Sequence, residues 1–171
     1  MRAGTNLSVA TLALLLTLSL SAAEKSLDWK AKIQTGVEAW DAGKAEEAEK
    51  LLTVAVAAAG KIKSLPADPD LALAHQILSC IYEGRRKKPE MEKHFQKAKD
   101  ILVKAWTPEA GDQMLKPFRQ RAEALDQKCL LAEGASLRRL ILDVMETRAP
   151  GTMGSVIACN GYASVLQGMG R

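Results

Sequence analysis

From Asp28 onward the apolar residues of this chain recur at intervals of three and four positions, which is the spacing of one face of an α-helix. Before residue 150 we find no segment in which apolar and polar residues alternate, as they would in a half-buried strand. The pattern therefore predicts an all-α fold of stacked antiparallel helical hairpins. Six helices are predicted, over residues 29–41, 44–60, 70–83, 89–106, 112–132 and 135–147.

The six predicted helices pair into hairpins and leave a C-terminal segment of different composition. Residues 151–171 contain five glycines and a single charged residue, Arg171. No helical face is evident in this segment, so we expect an irregular Gly-rich C-terminal tail over residues 150–171. The hairpins are expected over about 29–60, 70–106 and 112–147, within one helical domain that covers residues 24–149.

The first 23 residues have the layout of a secretory signal peptide. Arg2 supplies a positive charge, and an apolar run of 14 residues follows between Leu7 and Leu20. A helix that spans a bilayer needs about 20 apolar residues. The small residue Ala23 suits a signal peptidase, so we expect cleavage before Glu24. The mature protein is then exported, periplasmic or secreted, and does not span a membrane.

Composition and charge narrow the class of partner. The 171 residues are 47% hydrophobic and 26% charged, which suits one globular domain and excludes a disordered chain. The net charge is +4, which is too mild to indicate a nucleic-acid partner. The densest positive charge lies in segment 85–104, which begins with the basic patch Arg85, Arg86, Lys87 and Lys88. This patch leaves open an alternative function, the binding of an envelope polyanion or a membrane surface.

The three cysteines, Cys80, Cys129 and Cys159, are an odd number in a chain expected to be exported. Cys80 and Cys129 lie on the apolar stripes of two predicted helices. They form a disulfide if these helices pack together, and otherwise they are buried thiols. Neither the cysteines nor the histidines His75 and His94 have the spacing of metal ligands. We expect no metal and no cofactor.

Nothing in the sequence points to a catalytic reaction. No serine stands in a GxSxG nucleophile elbow, and no glycine-rich phosphate loop is followed by a lysine. We therefore expect a binding protein and not an enzyme. The alternative, a small enzyme with an unrecognised site, predicts that His75 or His94 meets a carboxylate in a cleft.

Two of the predicted hairpins share one pattern of small and large residues. Both series step by three, nine, four and three positions, and the second series lies 43 residues after the first. The first two positions fall where a leading helix meets its partner, and the last three form a stripe on the following helix. The sequence therefore predicts a repeated helical hairpin. The first series is Gly36, Ala39, Ala48, Leu52 and Ala55, and the second is Ser79, Tyr82, Met91, Phe95 and Ala98.

This spacing resembles the tetratricopeptide repeat, a helix-turn-helix unit of about 34 residues. In the second series Ser79, Tyr82 and Phe95 match the small and aromatic positions of the family, whereas Met91 stands where the family has alanine. The resemblance covers roughly residues 29–105. The third hairpin fits only as a degenerate unit, as terminal repeats often are.

The resemblance implies a scaffold that binds a peptide or protein partner in a shallow groove. The first helices of the hairpins would line this groove, so their outward side chains are the candidate contacts. The oligomeric state is left open. The candidate residues are Lys32, Gln34, Glu38, His75 and Gln76.

Overall fold

The structure is a computed structural model that describes residues 28–62, 65 and 67–170. This part of the chain is helical throughout its regular elements and contains no strand, so the predicted all-α fold is confirmed. The predicted signal segment, residues 1–23, lies outside the described residues. The helices are α1 (28–41), α2 (Ala45–Ala59), α3 (Pro69–Gly84), α4 (Lys88–Ala105), α5 (Gly111–Gln127), α6 (Leu131–Arg148) and α7 (Met153–Gly168).

The first six helices form three hairpins whose turns are evenly spaced along the chain, and we call them units 1 (α1–α2), 2 (α3–α4) and 3 (α5–α6). Their first helices end at residues 41, 84 and 127, and their second helices begin at residues 45, 88 and 131. Successive members of each set are therefore 43 residues apart. Unit 3, expected to be a degenerate copy, keeps the hairpin geometry of the other two.

The turn inside each unit has the same backbone conformation. Gly43, Arg86 and Cys129 have left-handed φ angles of 75°, 58° and 58°, again 43 residues apart. In each turn the following N–H reaches a carbonyl five residues back, which is the Schellman ending of a helix. These bonds run from Lys44 to Ala39, from Lys87 to Tyr82 and from Leu130 to Leu125, each 2.9 Å long.

This turn corrects the predicted helix over 112–132. α5 ends at Gln127, and Cys129 lies exposed in the turn, not on an apolar stripe. A non-glycine residue rarely takes a left-handed φ, so the sequence around Cys129 carried no obvious stop signal. The Leu130 N–H bond to the carbonyl of Leu125 ends the helix instead.

The C-terminal segment is a helix and not the irregular tail expected over 150–171. α7 covers Met153–Gly168, and the Thr152 hydroxyl caps it by accepting a bond from the Ser155 N–H at 3.3 Å. Glycine costs a helix up to about 1 kcal/mol per residue, but here glycines permit close contact with α6. A Cβ at Gly154 would lie 2.6 Å from the Met145 side chain. Packing against α6 therefore stabilises a helix that the glycine content of this segment does not favour.

Two apolar clusters hold the units together. The first joins α1, α2 and α3 around the fully buried Trp29 and Leu52. The second joins α4, α5 and α6 around Phe95, Phe118 and Leu140. α6 is the central helix of the second half, because it packs against α3, α4, α5 and α7. Among the described residues, no helix is both long and apolar enough to cross a bilayer.

The stack curls so that unit 1 touches unit 3. The guanidinium of Arg121 in α5 lies 2.6 Å from the Asp41 carboxylate at the end of α1. The Lys128 ammonium donates to the Asp41 carbonyl at 3.4 Å. These contacts bring α1 and α5 together across unit 2. The surface along the first helices, where the groove was expected, is narrower as a result.

Candidate binding groove

The three predicted contact residues of α1 lie at the surface. Gln34 and Glu38 are exposed, and the Gln34 amide donates to the Glu38 carboxylate at 2.8 Å. Lys32 is partly exposed and forms an ion pair with Asp28 one turn earlier. All three therefore have partners on their own helix.

The two predicted contact residues of α3 do not line an open groove. Gln76 is fully buried, and its amide nitrogen donates to the Ser136 hydroxyl of α6 at 2.9 Å. His75 is 8% exposed. The expectation that both side chains face a partner is wrong, because α3 is the middle first helix and packs against α2, α4 and α6.

His75 instead pairs with His94 of α4. Their Nδ1 atoms are 2.9 Å apart, a distance at which one ring donates a hydrogen bond to the other. Burial lowers the pKa of His75 to about 4, and the positive charges of His94, Lys97 and Lys93 act in the same direction. Burial also lowers the pKa of His94. The pair is therefore neutral at pH 7.

The histidine pair occupies a position where unit 3 has an apolar contact. Phe118 and Leu137 stand 43 residues after His75 and His94, and both are buried in the second apolar cluster. The enzyme alternative predicted a histidine beside a carboxylate, whereas His75 meets a second histidine. Within the described residues, no group of three or more His, Cys, Asp or Glu side chains is placed to hold a metal ion.

The cysteines are free thiols in the structure, so the disulfide considered for Cys80 and Cys129 is not formed in it. Cys80 is buried in α3, and burial raises its pKa to about 12. Cys129 and Cys159 are exposed. The thiols thus differ sharply in their access to solvent.

The four basic residues of the predicted patch lie together and exposed at the turn between α3 and α4. Two of them already have partners within the protein. Arg85 lies 2.5 Å from the Glu49 carboxylate, and the Lys87 ammonium lies 5.9 Å from the ring centre of Tyr82. Arg86 and Lys88 complete the patch.

A groove lies where α5, α6 and α7 meet. It contains a cavity of about 130 Å³ with an apolar floor and a rim that carries three charged side chains. Sequence reasoning missed this groove because the segment that forms one wall, α7, was expected to be irregular. The floor is Ala122, Ile141, Ala158 and Gly161, and the rim is Arg119, Glu123, Arg138 and Ile157.

One departure from the repeat lies at the cavity. Leu52 and Phe95, 43 residues apart, are fully buried in units 1 and 2. The equivalent residue of unit 3 is Arg138, whose guanidinium bonds to the Asp126 carboxylate of α5 at 2.6 Å. Unit 3 therefore has a charged side chain lining the cavity at the position where units 1 and 2 have buried apolar side chains. The sequence signal for this groove is the charged Arg138 at a repeat position that is apolar in units 1 and 2.

The rim combines charge with exposed apolar surface. Arg119 lies 2.7 Å from Asp112, whose side chain is 83% exposed, so this ion pair is in contact with solvent. Ile157 is 62% exposed beside the cavity. An apolar floor with a few polar groups at its edge is typical of a site that takes one apolar side chain.

Comparison with known proteins gives no information about the function. No protein-family model matches the sequence, and no curated protein matches it significantly.

Proposed function

We propose that this chain is a protein-interaction scaffold, similar in kind to tetratricopeptide proteins, that holds a peptide or protein partner in the groove between α5, α6 and α7. The observation that carries the proposal is the cavity lined by Arg138, which stands where units 1 and 2 have the buried Leu52 and Phe95. The groove thus lies toward the C-terminal end of the stack and not along α1 and α3. Its task is binding and not a chemical reaction.

The groove favours an aliphatic side chain as the anchor of the partner. Burying one such side chain contributes roughly 1.5–3 kcal/mol. The exposed Ile157 adds apolar surface beside the cavity. A straight or branched aliphatic side chain suits a cavity of about 130 Å³ with a floor of small residues.

Arg119 favours an acidic residue next to the anchor. Its present ion pair with Asp112 is exposed, and exposed ion pairs contribute about 0–1 kcal/mol. Arg119 can therefore exchange Asp112 for a carboxylate of the partner at little cost. The expected ligand is a segment in which an acidic residue flanks an aliphatic one.

The proposal also includes export, which rests on the signal-peptide layout of residues 1–23. The basic patch supports the polyanion alternative less well than the groove supports peptide binding. Arg85 and Lys87 are engaged by Glu49 and Tyr82, which leaves two basic residues without those contacts.

Selection from a displayed random-peptide library on the full chain tests the groove. We expect enriched peptides to share an aliphatic residue beside an acidic one, and to bind the Ile157→Lys variant roughly tenfold more weakly, a loss of about 1.4 kcal/mol. Gln167→Lys is the matched control, because Gln167 is exposed on the same helix and does not line the cavity. Peptides that bind both variants equally well would refute the groove as the binding site.

A further inference from the structure

A second cavity lies between α3, the start of α6 and the C-terminal half of α7. Its volume is about 390 Å³, within the range of about 300–1,000 Å³ that small-molecule sites occupy. The second cavity and the groove share none of the described residues that line them. On α6 and on α7 the lining residues recur at intervals of four and three, so each helix turns one face toward the second cavity. They are Ala132, Ser136 and Arg139 on α6, and Tyr162, Leu166 and Met169 on α7.

Hydrogen bonds fix the wall where α3 meets α6. Gln76 is fully buried behind this wall, and its amide nitrogen donates to the Ser136 hydroxyl at 2.9 Å and to the Cys80 sulfur at 3.7 Å. Ser136 and Cys80 both line the second cavity. Burial raises the pKa of Cys80 to about 12, so this thiol is neutral at pH 7. This part of the wall is therefore preformed and uncharged.

The guanidinium of Arg139 lines the second cavity without a carboxylate partner. Its central carbon lies 4.4 Å from the ring centre of Phe95, which is buried. Stacking on a ring covers the flat face of a guanidinium and leaves its N–H groups able to donate to a carboxylate. The ion pairs between described residues do not include Arg139. A ligand that brings a carboxylate therefore meets a partly buried cation that it can pair with.

Carboxylates line the same cavity. Glu133 precedes Arg139 by six residues on α6, which is about 9 Å along the helix axis. Glu133 is partly buried and, within the part of the chain that the structure describes, forms no ion pair. Glu83 at the end of α3 adds a second carboxylate, which is exposed. The second cavity therefore presents charges of both signs at separate places.

We infer that the second cavity binds a free α-amino acid with an apolar side chain. Arg139 pairs with the carboxylate of the ligand, and Glu133 accepts hydrogen bonds from its ammonium group. Met91 of α4 and Leu166 of α7 line the same cavity and contact the apolar side chain.

The charges of the second cavity select this class of ligand. Glu133 and Glu83 repel a ligand that carries only negative charge, and Arg139 repels one that carries only positive charge. A neutral ligand would displace water from both kinds of charge and pair with neither, which is unfavourable. A small zwitterion satisfies both at once.

Isothermal titration calorimetry of the full chain with L-leucine and L-methionine tests the inference. The amides of these amino acids lack the carboxylate, and their N-acetyl derivatives lack the ammonium group, so the two kinds of analogue report on the two charges separately. We expect at least one of the amino acids to bind with a dissociation constant below about 1 mM. Both of its analogues should bind roughly tenfold more weakly, because each loses one charge-assisted contact.

Two variants assign the charges to residues. Arg139→Gln should weaken binding of the amino acid roughly tenfold and should not weaken binding of its amide. Glu133→Gln should weaken binding of the amino acid to a similar extent and should not weaken binding of its N-acetyl derivative. The matched controls Arg148→Gln and Glu146→Gln change exposed residues of the same helix that line neither cavity, so they should bind as the wild type does.

Several results would overturn the inference. One is the absence of saturable binding of both amino acids up to about 10 mM. Another is an analogue that binds the wild type as tightly as the amino acid, and a third is an unchanged affinity in both variants. If Arg139→Gln does not fold, the analogues and Glu133→Gln still decide the result.

The same titration separates the second cavity from the groove. Weaker binding in Arg119→Gln without weaker binding in Arg139→Gln would place the amino acid in the groove, which overturns the assignment. The peptide selection depends on Ile157, which does not line the second cavity, so the failure of one test is distinguishable from the failure of the other.

Discussion

Replacing the histidine pair by the residues of unit 3 should remove a large part of the acid sensitivity of this protein. The variant carries His75→Phe and His94→Leu, which copies Phe118 and Leu137 into unit 2. In the wild type the pKa of His75 falls from its ordinary 6.5 to about 4 in the folded state. Between these pH values the unfolded chain binds a proton at His75 that the folded chain does not bind. The free energy of unfolding therefore falls as pH falls from 6.5 to 4.

The size of this change in unfolding free energy follows from the shift in the pKa of His75. One pKa unit corresponds to 1.36 kcal/mol, so the change for His75 amounts to about 3 kcal/mol between neutral pH and pH 4. The pKa of His94 is lowered as well, and the two rings titrate as a coupled pair. For a chain of this length 3 kcal/mol corresponds to roughly 6–12 °C in melting temperature. The double variant should lose this part of the pH dependence of its unfolding free energy and keep the part that comes from its carboxylates.

Urea unfolding followed by far-ultraviolet circular dichroism, at several pH values from 7 to about 4, measures the difference directly. The curve of unfolding free energy against pH should be flatter in the double variant than in the wild type. The single variants His75→Phe and His94→Leu complete a double-mutant cycle, and each leaves one ring without its hydrogen-bond partner. Parallel curves for the wild type and the double variant would refute the assignment of this pH dependence to the pair.

Two further predictions rest on close packing and on thiol burial. Gly36→Ala should destabilise the protein by about 1–2 kcal/mol in thermal unfolding, because its Cβ would lie 2.7 Å from the buried Leu52 side chain, and the better helix propensity of alanine offsets part of that cost. A stability equal to or above that of the wild type would contradict the packing described for unit 1. Ellman's reagent should titrate Cys129 and Cys159 in the native protein and reach Cys80 only after denaturation, because the buried thiol has a pKa raised to about 12. Rapid native reaction of Cys80 would show that α3 is less well covered than the structure indicates.

The comparison of sequence with structure is most informative in unit 3. The third hairpin was expected to be degenerate, and at one position of the repeat it does have Arg138 where the other two have Leu52 and Phe95. The backbone conformation repeats even where these side chains do not. The helix ends and the left-handed turn at Cys129 repeat at 43 residues although the residues differ. Unit 3 thus keeps the hairpin geometry, while Arg138 at this position lines the groove.

The helices of the first three units follow from local physics. Their apolar residues recur at helical spacing, and local signals such as the Asp68 carboxylate, which accepts a bond from the Asp70 N–H at 2.9 Å, mark where α3 begins. Such signals act within a few residues, so the sequence by itself determined the all-α class and most helix boundaries. It also determined the 43-residue repeat of units 1 and 2.

Only the tertiary structure decided which faces of those helices are open. A helical wheel places His75 and Gln76 of α3 on a polar side, but the neighbouring helices cover that side and leave both residues buried. The same holds for α7, whose glycine-rich sequence has little helix propensity of its own and is helical because α6 offers a surface to pack against. Burial is a property of two surfaces that come from distant parts of the chain, whereas helix periodicity is a property of one segment. For this reason the sequence predicted the helices, whereas the packing of α6 and α7 decided where the groove lies.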